Sequence, residues 1–465
     1  MKLEFGNEII VDIIDTSHDG RGVAKYNDEV IFVDSSVQGD KVIVVIKKAK
    51  RKFAEASVKE IISPSKFRID SPCEHFGTCN GCKFQHTAYT HQLQIKRKIV
   101  EDAFRKIGGF ENFSVQEVIS SSNEYHYRNK IEFSFSQNKW MTNLDENKPK
   151  ENFSLGFHKP GFIDKVIDIN ICHLQPVIGN NILNFTREFF KQRGISIYNT
   201  RTNEGFLRFL VIRFSFSTNE VMINLVTHNH DEKLMNEFTD ELKRKIPAVT
   251  SFINSISARR AQVAVGEESR LIFGKDFITE QIGDYKFKVN VNSFFQTNSL
   301  QCKILYDKII ELAEFTTDED VLDLYCGCGS ISIYISKYVN SVHGVEVIED
   351  SIKGAYENAE LNKISNCTFE ASDVKQYLQS LLLTHDSRLS TVILDPPRSG
   401  IHPKIPEYLL QLSPKKIIYV SCNPSTQARD IALLKEKYEI AAVQPVEMFP
   451  QTHHIENIVR LDVKS

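Results

Sequence analysis

The chain has 465 residues, too many for one ordinary hydrophobic core, so two or three domains are expected. Apolar residues make up 41% and charged residues 25%, which excludes a disordered chain, and no run of eighteen apolar residues is present to span a membrane. A net charge of −3 gives no bulk signature of a nucleic-acid binder.

Residues 1–63 read as about five short strands with turn punctuation, the spacing of a small barrel. The opening MKLEFGNEIIVDIIDTSHDG carries acids inside its only apolar run, which does not read as a signal peptide, and a cytoplasmic location is expected. Within the barrel, residues 41–59 carry seven Lys and Arg against one Glu. Such a run is commonly a solvated face. Interleaved with strand-forming residues, it also suits a strand pair that contacts phosphates. Lys96-Arg97-Lys98 reads as a second basic cluster.

Residues 64–285 read as a central α+β domain with a cysteine cluster near its start and a helix over about 89–107 that ends at a Gly108-Gly109 stop. Cys73, Cys79 and Cys82 are spaced C-x5-C-x2-C, and Cys172 is a candidate fourth ligand. Nine cysteines at uneven spacing, without a secretion signal, point to metal binding or catalysis and away from a disulfide framework. Spacing alone leaves structural zinc and an iron–sulfur cluster equally open, with His75 and His86 close in sequence.

From 286 to 465 short apolar strands (VLDL, SVHGVEV, CTFEASD, TVIL, KIIYV) alternate with amphipathic stretches such as SISIYISKYV and EDSIKGAYENAELN. That alternation is the signature of α/β, a Rossmann-like doubly wound sheet. VLDL runs into Tyr325-Cys326-Gly327-Cys328-Gly329-Ser330, a glycine-bearing turn at the edge where such sheets bind ligands. Ser332 stands where a dinucleotide fingerprint would want glycine, which speaks against an NAD enzyme. Glu346 ends the next strand, placed to accept a ribose's hydroxyls. Asp395 precedes a Pro-Pro pair that rigidifies its loop, and Cys422 follows KIIYVS at a position suited to a nucleophile. The bland alternatives are a surface glutamate and a small buried thiol.

In this order, NSFFQTN, DLYCGCGS, GVEV, DPPRSG, SCNPST and FPQTHHIE resemble the motifs of the RNA 5-methyluridine methyltransferases, the RumA and TrmA family. The N-terminal strands resemble a TRAM domain, an OB-like RNA-binding barrel, and CEHFGTCNGC resembles the family's iron–sulfur loop. The resemblance implies an S-adenosylmethionine site lined by Gln296, Tyr325, Glu346 and Asp395, with Asp373 near the adenine. It implies Cys422 as nucleophile, Glu456 as base, and a [4Fe–4S] cluster on Cys73, Cys79, Cys82 and Cys172, with zinc as the alternative. Ser330 departs from the family, which tends to carry Asn there. The expected partner is structured RNA, 23S rRNA before tRNA, handled by a monomer. A non-catalytic RNA-binding protein and a small-molecule or protein methyltransferase are the competing readings.

Overall fold

The computed structural model describes residues 3–79, 81–141, 152–384 and 389–464. Two compact units are present. The first is built from residues 1–124, 397–401 and 419–461, and the second from 125–396, 402–418 and 462–465.

The first unit opens on the expected barrel-like sheet. Its strands lie in the order Glu8–Asp12, Lys41–Ala49, Phe53–Ser63, Glu29–Asp34, Gly22–Tyr26 and Asp15–Thr16. The sixth strand, of two residues, is the one the sequence pattern was too short to reveal. Alternating Val42, Val44 and Ile46 point inward with Ile31, Val33 and Ala54, and all six are fully buried. A half-buried strand makes this period-2 pattern because successive side chains leave opposite faces. Lys47, Lys48, Lys50, Arg51 and Lys52 lie exposed at the far end of this hairpin.

Beneath the barrel, Asp40 is fully buried and held by Arg68 at 2.6 Å and by the N–H groups of Val37 and Ser65. These donors outweigh burial and hold its carboxyl below the ordinary range. Helix Tyr89–Lys106 forms where the pattern predicted it. Its apolar stripe runs through Ile95, Ile99, Val100 and Ala103. Strands Tyr438–Val446 and Glu456–Val463 are neighbours in the sheet that closes the chain.

The second unit contains an eight-stranded sheet whose central strands, Leu207–Phe214 and Val221–Thr227, are buried along their whole length. Helix Val177–Gln192 and helix Glu232–Lys245 pack Phe189, Phe190 and Phe238 together beside Phe252 of the sheet. Farther along, strands Cys367–Ala371, Ser341–Glu346, Asp320–Leu324 and Leu389–Leu394 lie side by side in that order, all parallel. Parallel strands need crossovers, supplied here by helices Ser330–Ile335, Glu349–Leu361 and Val374–Thr384. Helix Ser330–Ile335 departs from the expected amphipathic pattern: Ile331 through Ile335 are all buried.

Candidate active site

Strand Asp320–Leu324 ends in a turn that its sequence makes possible. Tyr325 has φ +67°, Gly327 +55° and Gly329 +75°. Glycine adopts this left-handed region without penalty, whereas Tyr325 adopts it at a cost and is held there by its N–H bond to the Val345 carbonyl at 2.9 Å. A Cβ on Gly329 would meet Phe369 at 2.9 Å and Ala355 at 3.1 Å. The turn can therefore press against its neighbours only with glycine in place.

The residues expected around the methyl donor lie in this second unit. Glu346 closes its strand, one position beyond the Leu324–Val345 register, and accepts the Ile348 N–H at 3.0 Å. Asp395 follows Leu394, which pairs with Leu324, and its N–H reaches the Leu324 carbonyl. Gln296 is buried, with its backbone carbonyl held by Asn129. Asp373 is exposed and accepts the Gln376 N–H at 3.1 Å at the start of helix Val374–Thr384. Ser330 turns its hydroxyl inward to the buried Tyr306 hydroxyl at 2.7 Å, so the departure from Asn has its own partner.

In the sequence, Asp323 two residues before the turn is more typical of methionine-moiety binding than of pyrophosphate cradling, while Ser332 reads only as a missing glycine. Asp323 is fully buried, Ser332 donates to its Oδ2, and its Oδ1 has no hydrogen-bond partner among the described residues. Burial pushes Asp323 up to about 7, against the hydrogen bonds from Ser332. Burial likewise pushes Asp395 up to about 7, helped by the charge of Asp323. An orphaned buried carboxylate oxygen beside a second acid is a site for a cationic group, and a sulfonium nucleoside bearing an ammonium group fits it.

The proposed reacting residues lie in the first unit. Cys422 follows strand Lys416–Ser421 and stands one residue before the N-cap of helix Pro424–Ala432, Asn423, which accepts the Ser425 N–H at 3.1 Å. Pro424 at the first helical position gives up an N–H that would have no partner anyway. A helix N-terminus favours a thiolate over a thiol. Asn423 and Thr426 both donate to the Arg398 carbonyl, at 3.0 and 3.2 Å, fixing the Pro397–Ile401 loop beside the cysteine. Cys422 opens onto a cleft of about 160 Å³ that Arg398, His453, His454 and Ile455 help to line. Glu456 follows Ile455 as the first residue of its strand and is only 4% exposed. Burial, reinforced by nearby Lys83, pushes His453 down to about 4, so its imidazole is neutral at neutral pH.

The FPQTHHIE loop is anchored from beneath. Lys96 and Glu447, each fully buried, pair at 2.5 Å, and Lys96 also donates to the Phe449 carbonyl at 3.1 Å. Gln92 and Gln451 exchange two hydrogen bonds, and Gln451 stands at φ +68°. The N–H groups of Lys83 and Phe84 reach the Gln451 carbonyl. The basic triplet is thereby corrected: Lys96 is internal, Arg97 pairs with Glu117, and Lys98 pairs with Asp15 and Asp102. The signal available in the sequence was periodicity, since Lys96 falls on the buried stripe of its helix.

Cys73, Cys79 and Cys82 are half-buried, and the Gly81 N–H points at the Cys79 sulfur at 3.4 Å. Burial raises the Cys73 thiol. Soft sulfur donors suit an iron–sulfur cluster or zinc. Among the described residues, however, no three His, Cys, Asp or Glu side chains are gathered in a group that could hold a metal ion.

Comparison with known proteins decides the family. The family model described as tRNA (uracil-5-)-methyltransferase matches residues 195–464, more than half of the chain, and the TRAM domain model matches residues 2–59. The chain belongs to the tRNA (uracil-5-)-methyltransferase family. It is an RNA (uracil-5-)-methyltransferase of the S-adenosylmethionine-dependent class, with an N-terminal TRAM domain and a Rossmann-like catalytic fold. An uncharacterised RNA methyltransferase from Bacteroides thetaiotaomicron is 40% identical over 96% of this chain and 99% of its own. One from Chlorobaculum tepidum is 39% identical over 90% of this chain and 88% of its own. Among solved structures, the Pyrococcus abyssi tRNA (uracil-54, C5)-methyltransferase in complex with S-adenosyl-L-homocysteine is similar at a TM-score of 0.74. It is 30% identical, covering 97% of this chain and 100% of that one. For this methyltransferase, the resemblance read from six short motifs and the family match over the C-terminal 270 residues agree.

Proposed function

We propose that this enzyme methylates carbon 5 of a uridine in structured RNA, 23S rRNA in the first instance, through a covalent adduct with Cys422. The observation that carries the reading is Cys422 at a helix N-terminus, opening onto a cleft lined by Arg398 and two imidazoles. When bound, S-adenosylmethionine supplies an electrophilic methyl group, and Gln296, Tyr325, Glu346, Asp373 and Asp395 are assigned to hold it. The Cys422 thiolate adds to carbon 6, and the electron pair of the ring double bond moves toward carbon 5 and the 4-carbonyl. Carbon 5 thereby becomes nucleophilic. Once carbon 5 is methylated, Glu456 takes its proton. The double bond re-forms and the carbon–sulfur bond breaks, returning the thiolate. Burial makes His453 a weak proton acceptor, which supports Glu456 in that role. The target must be unpaired or flipped, because a stacked ring is closed to both faces.

Transfer RNA is the second reading, favoured by the printed specificity of the Pyrococcus abyssi relative. The TRAM barrel combined with a cysteine loop supports rRNA. Mapping 5-methyluridine in both RNAs of a deletion strain separates the two. With labelled methyl donor and RNA from that strain, Cys422→Ala should transfer no label yet still bind the donor. Glu456→Gln should stall as a methylated covalent complex on a denaturing gel. Undiminished turnover by either variant contradicts the assigned role.

The cysteine loop is proposed to hold a [4Fe–4S] cluster with Cys172, on the strength of its donor chemistry, and no step above depends on it. Anaerobically purified protein should then contain iron and sulfide and lose visible absorbance in Cys79→Ser. Stoichiometric zinc without iron would assign the loop to zinc. A cytoplasmic monomer is the form proposed to act.

A further inference from the structure

The cleft that exposes Cys422 has one wall from an element far away in sequence. His18, in the turn between barrel strands Asp15–Thr16 and Gly22–Tyr26, lines it together with Arg398, His453 and His454. The turn is rigid for local reasons. Ser17 Oγ donates to Asp19 Oδ1 at 2.6 Å, Arg21 Nε donates to Asp19 Oδ2 at 2.8 Å, and the Ser17 and Gly20 N–H groups close the backbone. The Arg21 guanidinium rests over the Phe32 ring. At its tip Gly20 is buried at φ +82°, where a Cβ would come within 3.0 Å of Lys83 and 3.2 Å of His453. The backbone of the turn thus packs onto the cysteine loop and the FPQTHHIE loop, which leaves the His18 side chain exposed at the mouth of the cleft.

No acidic residue lines this cleft among the described residues. The polar groups that do are Arg398, three imidazoles, the Asn423 amide and the Ser425 hydroxyl. A uracil ring presents neutral carbonyls and one N–H, and needs no such concentration of cationic and N–H donors. The phosphodiesters that enter with a flipped nucleotide do need it. They flank the base, and of the residues lining this cleft His18 and Arg398 are the exposed ones, whereas Cys422 is half-buried.

We propose that His18 of the TRAM turn donates a hydrogen bond to a phosphodiester adjoining the target uridine, so that the barrel forms part of the target pocket as well as gripping RNA elsewhere. The inference rests on the assignment of Cys422 as nucleophile. Its consequence is that His18 sets the affinity for the target nucleotide and takes no part in the chemistry.

The test uses the full-length enzyme and a short RNA stem-loop built around the uridine mapped in the deletion strain. His18→Ala should raise KM for this RNA roughly tenfold, the loss of one charge-assisted hydrogen bond, with kcat nearly unchanged. His18→Gln, which keeps an N–H donor, should recover much of that loss. Replacing the contacted phosphodiester by an uncharged methylphosphonate should weaken the wild type by a similar factor and leave His18→Ala no weaker still. An unchanged KM in His18→Ala overturns the proposal, as does an equal penalty from His18→Ala on the native RNA and on the methylphosphonate RNA. Adduct formation between the wild type and a 5-fluorouridine version of the stem-loop keeps the two claims apart. If the adduct forms while KM is unchanged, only the role of His18 falls; if no adduct forms on Cys422, both claims fall.

Discussion

Asp323 and Asp395 show what a residue's surroundings add to its identity. Both are pushed by burial up to about 7, so the pair changes charge across neutral pH. A cationic donor binds the ionised pair better than the protonated one. Affinity for S-adenosylmethionine should therefore rise from pH 6 to pH 8, with protons released on binding. Calorimetry in two buffers of different ionisation enthalpy measures that release, and Asp323→Asn should reduce it. The sign for stability runs the other way. An acid whose folded pKa exceeds its unfolded value, about 3.9, stabilises fully below that value and loses the contribution as pH rises through about 7. Without the donor, the protein should melt lower at pH 8 than at pH 5.5 on this account. The motif DLYCGCGS put Asp323 on view in the sequence. Its perturbed acidity was illegible, because it depends on burial that no local pattern encodes and on the charge of Glu346 at the end of the next strand.

Among the elements, those with long periodic patterns were read well. Helix Tyr89–Lys106 and the parallel strands stand where apolar spacing put them. Helix Ser330–Ile335 was misread because a short helix buried on every side has no polar face to set its period. Strand Tyr438–Val446 went unread, for Pro445 stands near its end and Ile440-Ala441-Ala442-Val443 shows no alternation to mark it. The buried Lys96–Glu447 pair was hidden for another reason: a lysine within a basic triplet looks solvated until its helix face is assigned. Burial opposes the charge on both partners, lowering Lys96 and raising Glu447, and each charge is kept by the other. Lys96→Met should therefore cost about 3–5 kcal/mol in urea unfolding, because Glu447 is left alone in the interior. Adding Glu447→Gln should recover part of the loss. If the single variant unfolds like the wild type, the pair is no anchor for the FPQTHHIE loop.

At the scale of the molecule, the TRAM barrel, the cysteine loop, Cys422 and Glu456 belong to one compact unit drawn from three separate stretches of chain. Sequence patterns are local, so they name the parts and not this assembly. The order of motifs pointed to a uracil-5-methyltransferase, and the family match over residues 195–464 agrees with that reaction class. No helix among the described residues is long and apolar enough to cross a membrane. What joins the parts in the proposed mechanism is the thiol. RNA carrying 5-fluorouridine at the mapped target, incubated with the wild-type enzyme and S-adenosylmethionine, should give a denaturant-resistant complex, because fluorine cannot leave as a proton does. Mass spectrometry of its proteolytic peptides should find the methylated nucleotide on Cys422. An adduct on another cysteine, or methyl transfer to the native RNA with no adduct from the fluorinated one, would contradict the covalent mechanism.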